Sequence, residues 1–310
     1  MVEPLKPEPT DMTMRTKLPA IAGLVVIVLM VFSARYGYHR DELYFVAATD
    51  HLAWGYVDQP PMTIWIAWLA ESLASGSVVA LRIFPAVAMG AVVYVAGLTA
   101  RALGGGSRAV LVGAASVAAS GIFLATGHLF STTTFDILFW SVILYLGVRI
   151  LGGSDPRLWV VLGGVAGLGL LNKHLVLYLL FGLLIGLLAT RQRRLLGSRW
   201  PWLGALVALV IWSPNLIWQI QNVWPTFEML RSLQEDNSGI GAAIEFLGLQ
   251  LPFLSIVMAP IAVIGIRRML QPAAEPYRPI AIGFLTLVAL MLVTGGKGYY
   301  IAPFYVVLLP

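Results

Sequence analysis

The sequence predicts an all-α fold, a polytopic transmembrane helical bundle with amphipathic surface helices in its first extracytoplasmic loop. Three observations carry this expectation. Of 310 residues, 59% are hydrophobic and 11% charged, far from the roughly half-apolar, quarter-charged mixture of soluble domains. Mean hydropathy is +0.84. Apolar stretches of the length that crosses a bilayer core, about 20 residues, recur between short polar breaks along the whole chain.

Taken in order, these stretches predict about ten spans, near 18–35, 78–100, 108–126, 135–151, 158–172, 175–190, 202–218, 241–265, 279–294 and 299–310. The fifth and sixth are short for full crossings, and a re-entrant pair there would preserve the orientation of the later spans. The last stretch runs into Pro310. Read as a span, it implies that residues 1–310 form a single transmembrane domain of a longer protein, with residues 36–77 as its first extracytoplasmic loop.

Lys and Arg set the orientation, because short cytoplasmic loops retain positive charge. With the N-terminus inside, 14 of these residues fall on the inner face and 6 on the outer. The outer six are Arg35, Arg40, Arg82, Lys173, Arg231 and Lys297, and most carboxylates share that face. The net charge of +5 therefore reads as a topology signal that meets anionic lipid, rather than as a nucleic-acid footprint. The absence of cysteine excludes disulfides, thiolate metal sites and cysteine catalysis. There is no nucleotide-binding glycine motif, and no A-x-A-like cleavage site follows the first hydrophobic run.

The densest group of ionisable residues is the stretch from Tyr36 to Pro61. From Glu42 onward, Leu43, Val46 and Ala47 recur at helical spacing, which predicts a helix lying on the membrane surface. Asp41 and Glu42 begin it, where backbone N–H groups and the helix dipole favour carboxylates. Such a pair is either a helix cap or, flanked by His39 and Arg40, a base set beside a phosphate site. Pro60-Pro61 ends this segment, with Asp58 at the turn, and a second short helix follows over Met62–Ser72.

With those residues in view, the chain resembles the polyprenyl-phosphate-sugar-dependent glycosyltransferases of the GT-C class. The likeness is to the bacterial branch related to protein O-mannosyltransferases and to the lipid A aminoarabinose transferase. It rests on Arg40-Asp41-Glu42 with Tyr44, on Tyr56-Val57-Asp58-Gln59-Pro60-Pro61, on Thr133-Thr134-Phe135-Asp136 and on Gly296-Lys297-Gly298-Tyr299-Tyr300. Pro214-Asn215-Leu216-Ile217-Trp218-Gln219 adds to it.

The resemblance implies Asp41 as general base with Glu42 as its partner, and a catalytic role for Asp136, which is equally a helix cap. It sets Asp58 where a relative holds a divalent metal ion. It also puts Tyr44 and Gln59 where relatives carry cations for the lipid phosphate. That leaves Arg40, Lys173, His174 and Lys297, with Tyr299 beside the last, as the outward phosphate-binding candidates. Lys173 is alternatively an interfacial anchor.

The implied reaction is inverting transfer of a sugar from a polyprenyl-phosphate donor to a hydroxyl of a lipid, glycan or protein, at the outer face of the bacterial inner membrane. The loop from Trp218 to Gly239 would cover the site or select the acceptor, or else be a plain amphipathic connector. Two rival readings are a secondary transporter and a noncatalytic lipid-binding subunit. The first predicts charges near the bilayer midplane, whereas these gather at one surface.

Overall fold

The computed structural model describes residues 12–236 and 239–309; the charges at Glu3, Lys6, Glu8 and Asp11, Asn237 and the terminal Pro310 lie outside them. The described residues form α-helices and short 3-10 segments. The first span is α1 (Met12–Phe32). The loop after it folds as α2 (Arg40–Ala48), a 3-10 turn over Thr49–His51, and α3 (Met62–Leu73). Surface helices were expected in both places, although the cap of α2 is His39, not Asp41. The His39 side chain accepts the Asp41 N–H and Glu42 accepts the His39 N–H, a reciprocal capping box.

Next come α4 (Val78–Ala102), α5 (Ser107–Ala118), α6 (Gly121–His128), α7 (Thr132–Leu151), α8 (Leu158–Asn172) and α9 (Val176–Leu188). The remainder is α10 (Arg199–Gln221), α11 (Pro225–Asp236), α12 (Ile240–Leu254), α13 (Ala259–Leu270), α14 (Arg278–Thr294) and α15 (Tyr305–Leu308). Among the described residues, five helices are long and apolar enough to cross a membrane, or up to eight if each bent pair is one span.

The expected ten spans differ from this in several places: 108–126 is broken between α5 and α6, which are bent by 58°, 158–172 and 175–190 hold helices of 15 and 13 residues, and two later stretches depart further. The stretch 241–265 is not one helix: α12 and α13 meet at 104°, around Ser255, whose φ of 69° ends α12. The stretch 299–310 is a 3-10 segment (Gly298–Phe304) running into the short α15. Ile301 to Leu309 are buried there, packed against α4, α7, α12 and α13. An apolar run enclosed by other helices has the hydropathy of a lipid-facing one, so composition cannot separate the two.

Helix contacts follow small residues. Gly163 and Gly167 of α8 face Gly204 and Ala208 of α10 so closely that a Cβ at Gly163 would overlap the Gly204 carbonyl. Gly182 and Gly186 of α9 meet Gly283 and Pro279 of α14 in the same way. These are small-xxx-small seams, which let backbones approach where lipid supplies no hydrophobic drive between helices. Outward surfaces stay apolar: Leu24, Ile27 and Val31 of α1 and Leu206 and Val210 of α10 are all more than half exposed. Water would not tolerate so continuous an apolar surface, and a bilayer does.

Candidate functional site at one end of the bundle

The loop between α1 and α4 is fastened by a charged clasp. Arg82 stands on α4 with 1% of its surface exposed, and it spends all five N–H donors. Nε and Nη2 donate to the two Glu42 oxygens at 2.9 and 2.6 Å. Nη1 donates to the carbonyls of Ser33 and Tyr36, and Nη2 also to that of Gly37. The Tyr36 ring lies 4.0 Å from the guanidinium carbon. Glu42 accepts two further bonds, from the backbone N–H groups of His39 and Phe130.

All four lone-pair positions of Glu42 are thereby used, as a buried ion pair requires if it is not to cost more than it returns. Burial by itself would raise the Glu42 pKa. The Arg82 hydrogen bonds and the two N–H donors outweigh it and hold the carboxyl below the usual glutamate range. The clasp ties the end of α1, the start of α2, α4 and the start of α7 together. Glu42 is therefore a positioning group rather than a free partner for Asp41.

Asp41, on the next turn of surface, is half exposed. Arg40 donates to it at 3.2 Å while remaining almost wholly in solvent. The His39 ring is 3.8 Å away, but its Nδ1 accepts the Asp41 N–H, so that nitrogen carries no proton for the carboxylate. Asp41 thus keeps acceptor capacity facing outward.

A cavity of about 420 Å³ opens at the same end, and Asp41 is not among the residues that line it. Its walls are the Asp58–Pro60 turn, the start of α7, the Lys173–Leu175 turn, the end of α10, the start of α11 and the turn after α14. Lys173, His174, Lys297, Asp58 and Gln59 all line it, so five residues singled out in separate sequence segments meet in one place. Lys173 Nζ donates to Thr133 Oγ1 at 3.1 Å and sits 5.3 and 5.4 Å from the Tyr299 and Tyr300 ring centres. Its electrostatic counterpart is Asp136, 3% exposed, whose Oδ1 has no hydrogen-bond partner.

Lys297 adds a second positive charge that acts on Lys173. It is delivered by the glycine turn after α14: Gly295 takes φ 72° as the helix cap, and a Cβ at Gly296 would collide with Met291. The Tyr299 ring packs edge-on to Tyr300, their centres 4.9 Å apart.

The remaining groups hold the frame. Asn172 accepts from Thr63 Oγ1 at 2.7 Å and donates to the Thr132 carbonyl at 2.9 Å. Asn215 donates to the Trp54 carbonyl, which makes its Oδ1 the acceptor for Trp212 Nε1 and for His174 Nε2, 3.0 Å away. His174 therefore bears its proton on Nε2, and burial lowers its pKa towards the neutral form.

Tyr44 donates to Asp58 Oδ1 at 2.8 Å, and burial together with that carboxylate raises the phenol pKa. No three His, Asp or Glu side chains converge among the described residues. With no such group and with the Tyr44 hydroxyl bonded to its Oδ1, Asp58 does not fit the divalent metal that the resemblance implies.

Sequence reasoning passed over Arg82 and the asparagines 172 and 215 as site-builders. Arg82 had a legible signal, being a charge one turn inside a largely apolar 25-residue helix whose other arginine, Arg101, lies at the far end.

The architecture is that of known GT-C membrane glycosyltransferases. ArnT from Cupriavidus metallidurans bound to undecaprenyl phosphate matches with a TM-score of 0.76 at 20% identity, over 96% of this chain and 59% of that one. The apo form of the same protein matches with a TM-score of 0.75 at 18% identity, over 93% and 57%.

A family model described as dolichyl-phosphate-mannose-protein mannosyltransferase matches residues 58–218, just over half of the chain, and the chain belongs to that family. Lipid A galacturonosyltransferase RgtD from Rhizobium johnstonii is 27% identical over 219 residues, covering 68% of this chain and 45% of that protein. The chain thus spans about half the length of the relatives it matches.

Proposed function

We propose that this chain is the membrane module of an inverting glycosyltransferase, which moves a sugar from a polyprenyl-phosphate donor to a hydroxyl acceptor at the extracytoplasmic face. The observation that carries the proposal is the placing of Lys173 and Lys297 on the wall of one cavity, where the Asp58 carboxylate is already bonded by Tyr44 and Asp136 lies outside the lining. Two ammonium groups on one cavity wall favour an anion between them, and a lipid phosphate has the charge for it. Gly-rich backbone and the Tyr299 and Tyr300 rings supply the surrounding surface.

In this reading Asp41 takes the proton of the acceptor hydroxyl as it attacks the anomeric carbon. The bond to the phosphate oxygen breaks with inversion, and the lysines stabilise the departing phosphate. Asp136 keeps Lys173 charged and oriented, and Glu42 with Arg82 holds the start of α2, which carries Asp41. The printed names of the relatives, a lipid A galacturonosyltransferase and a protein bound to undecaprenyl phosphate, support a polyprenyl-linked donor and a lipid acceptor. The gathering of charges at one end of the bundle favours transfer over transport.

The test is binding of undecaprenyl phosphate to the full chain in nanodiscs. Lys297→Gln and Lys173→Gln are expected each to weaken it about tenfold or more, the worth of one charge-assisted contact. Unchanged affinity in both variants would contradict the phosphate site.

A further inference from the structure

Where α10 ends and α11 begins, two side chains line the same cavity and have no part in the phosphate site. Gln219 is 1% exposed. Its Nε2 donates to Thr226 Oγ1 at 2.7 Å, and its Oε1 is buried without a hydrogen-bond partner. Buried carbonyl oxygens are rarely left so, because the group gives up its water and gains nothing in return. Thr226 accepts from Gln219, which leaves its own hydroxyl proton to donate. The pair therefore presents an acceptor and a donor side by side.

Around them stand Trp212, Trp224 and Phe227. The chain reverses there through Val223 and Trp224, two non-glycine residues at φ 61° and 55°, and the Trp224 N–H bonds the Gln219 carbonyl at 2.8 Å. This left-handed turn is what brings the first turn of α11 back onto the cavity, and non-glycine residues hold such angles only where the surroundings compensate.

The chemistry selects the ligand. Gln219 Oε1 needs a proton donor, so it repels a phosphate or an ionised carboxylate and accepts from a hydroxyl. Thr226 can donate to the neighbouring hydroxyl oxygen. Apolar C–H faces between such hydroxyls suit aromatic walls. We infer that Gln219 and Thr226 form the sugar subsite of the donor, with Gln219 reading a ring hydroxyl and thereby setting sugar specificity. The inference rests on the lipid-phosphate reading above and adds to it the surface that recognises the sugar rather than the lipid.

The experiment measures binding of bare undecaprenyl phosphate and of its mannosyl, galacturonosyl and 4-amino-arabinosyl conjugates to the full chain, to Gln219→Leu and to Thr226→Val. The expected result is that the parent prefers at least one conjugate over the bare lipid. Both variants should lose that preference by about tenfold, the worth of one hydrogen bond of about 1.4 kcal/mol, while affinity for the bare lipid stays unchanged.

A preference that survives in both variants overturns the subsite, as does loss of bare-lipid affinity by the same factor as conjugate affinity. If no conjugate exceeds the bare lipid, the subsite falls and the phosphate site stands. If the parent binds none of the four, both fall.

Discussion

The two ends of the bundle use charge in opposite ways. At the end that carries the cavity, ionic groups turn inward: Arg82 and Glu42 are sealed in a clasp, and Asp136 is buried facing Lys173. At the other end, Arg101, Arg108, Arg149, Arg157, Arg191 and Arg267 are exposed, and their contacts are short-range. Arg149, for instance, meets Tyr145 and Ser154 of its own helix and the turn after it. Arg101 and Arg149 at that end bond side chains or carbonyls within five residues, whereas Arg82 and Lys173 at the cavity end bond partners 40 residues away.

That contrast is breakable by substitution. The largest stability effect is expected at the clasp: Arg82→Leu leaves Glu42 as an uncompensated buried carboxylate, a cost of about 3–5 kcal/mol. The checking measurement is unfolding in detergent micelles. Arg267→Leu, the control at the opposite end, should stay within about 0.5 kcal/mol of the parent. Equal losses from the two would erase the distinction.

Smaller effects sharpen it. Gly163→Ala pushes a methyl into the Gly204 backbone and should cost about 1–3 kcal/mol. Its neighbour Gly164, where an added Cβ would meet nothing within 4 Å, should accept alanine with no loss or a gain of up to about 1 kcal/mol. Acid should also act through the clasp. Because the folded-state pKa of Glu42 is depressed, its contribution is present above the ordinary glutamate pKa and is lost as pH falls through the lower folded value. Thermal midpoints measured down that range should fall for the parent, and Glu42→Gln should flatten the acid dependence while lowering stability at neutral pH.

Hydropathy read the bundle well where helices are long, as in α1, α4, α7 and α10, because length and apolarity coincide there. It failed for residues 299–310, whose apolarity serves an enclosed core, and for the α12 to α13 break, where Pro252 and Pro260 on either side were the cues in sequence. Motifs far apart in the chain pointed to one face, and the cavity gathers Asp58, Gln59, Lys173, His174 and Lys297 from them. Sequence could not say which carboxylate is free. Asp41 and Glu42 are adjacent, and only the distant position of Arg82, 40 residues on, commits Glu42 to structure and leaves Asp41 open. The donor pairing of Gln219 with Thr226 was illegible for the same reason, since it depends on a left-handed turn at Val223 and Trp224 that neither residue type announces.

The most direct test of the account is sugar transfer from a labelled polyprenyl-phosphate-sugar pool in membranes containing the protein, comparing the parent with Asp41→Asn at equal expression and with donor binding measured alongside. The account predicts that the variant binds donor as the parent does and loses transfer by about 10²–10⁴-fold, the usual worth of a positioned general base. Transfer at the parental rate by Asp41→Asn would contradict it.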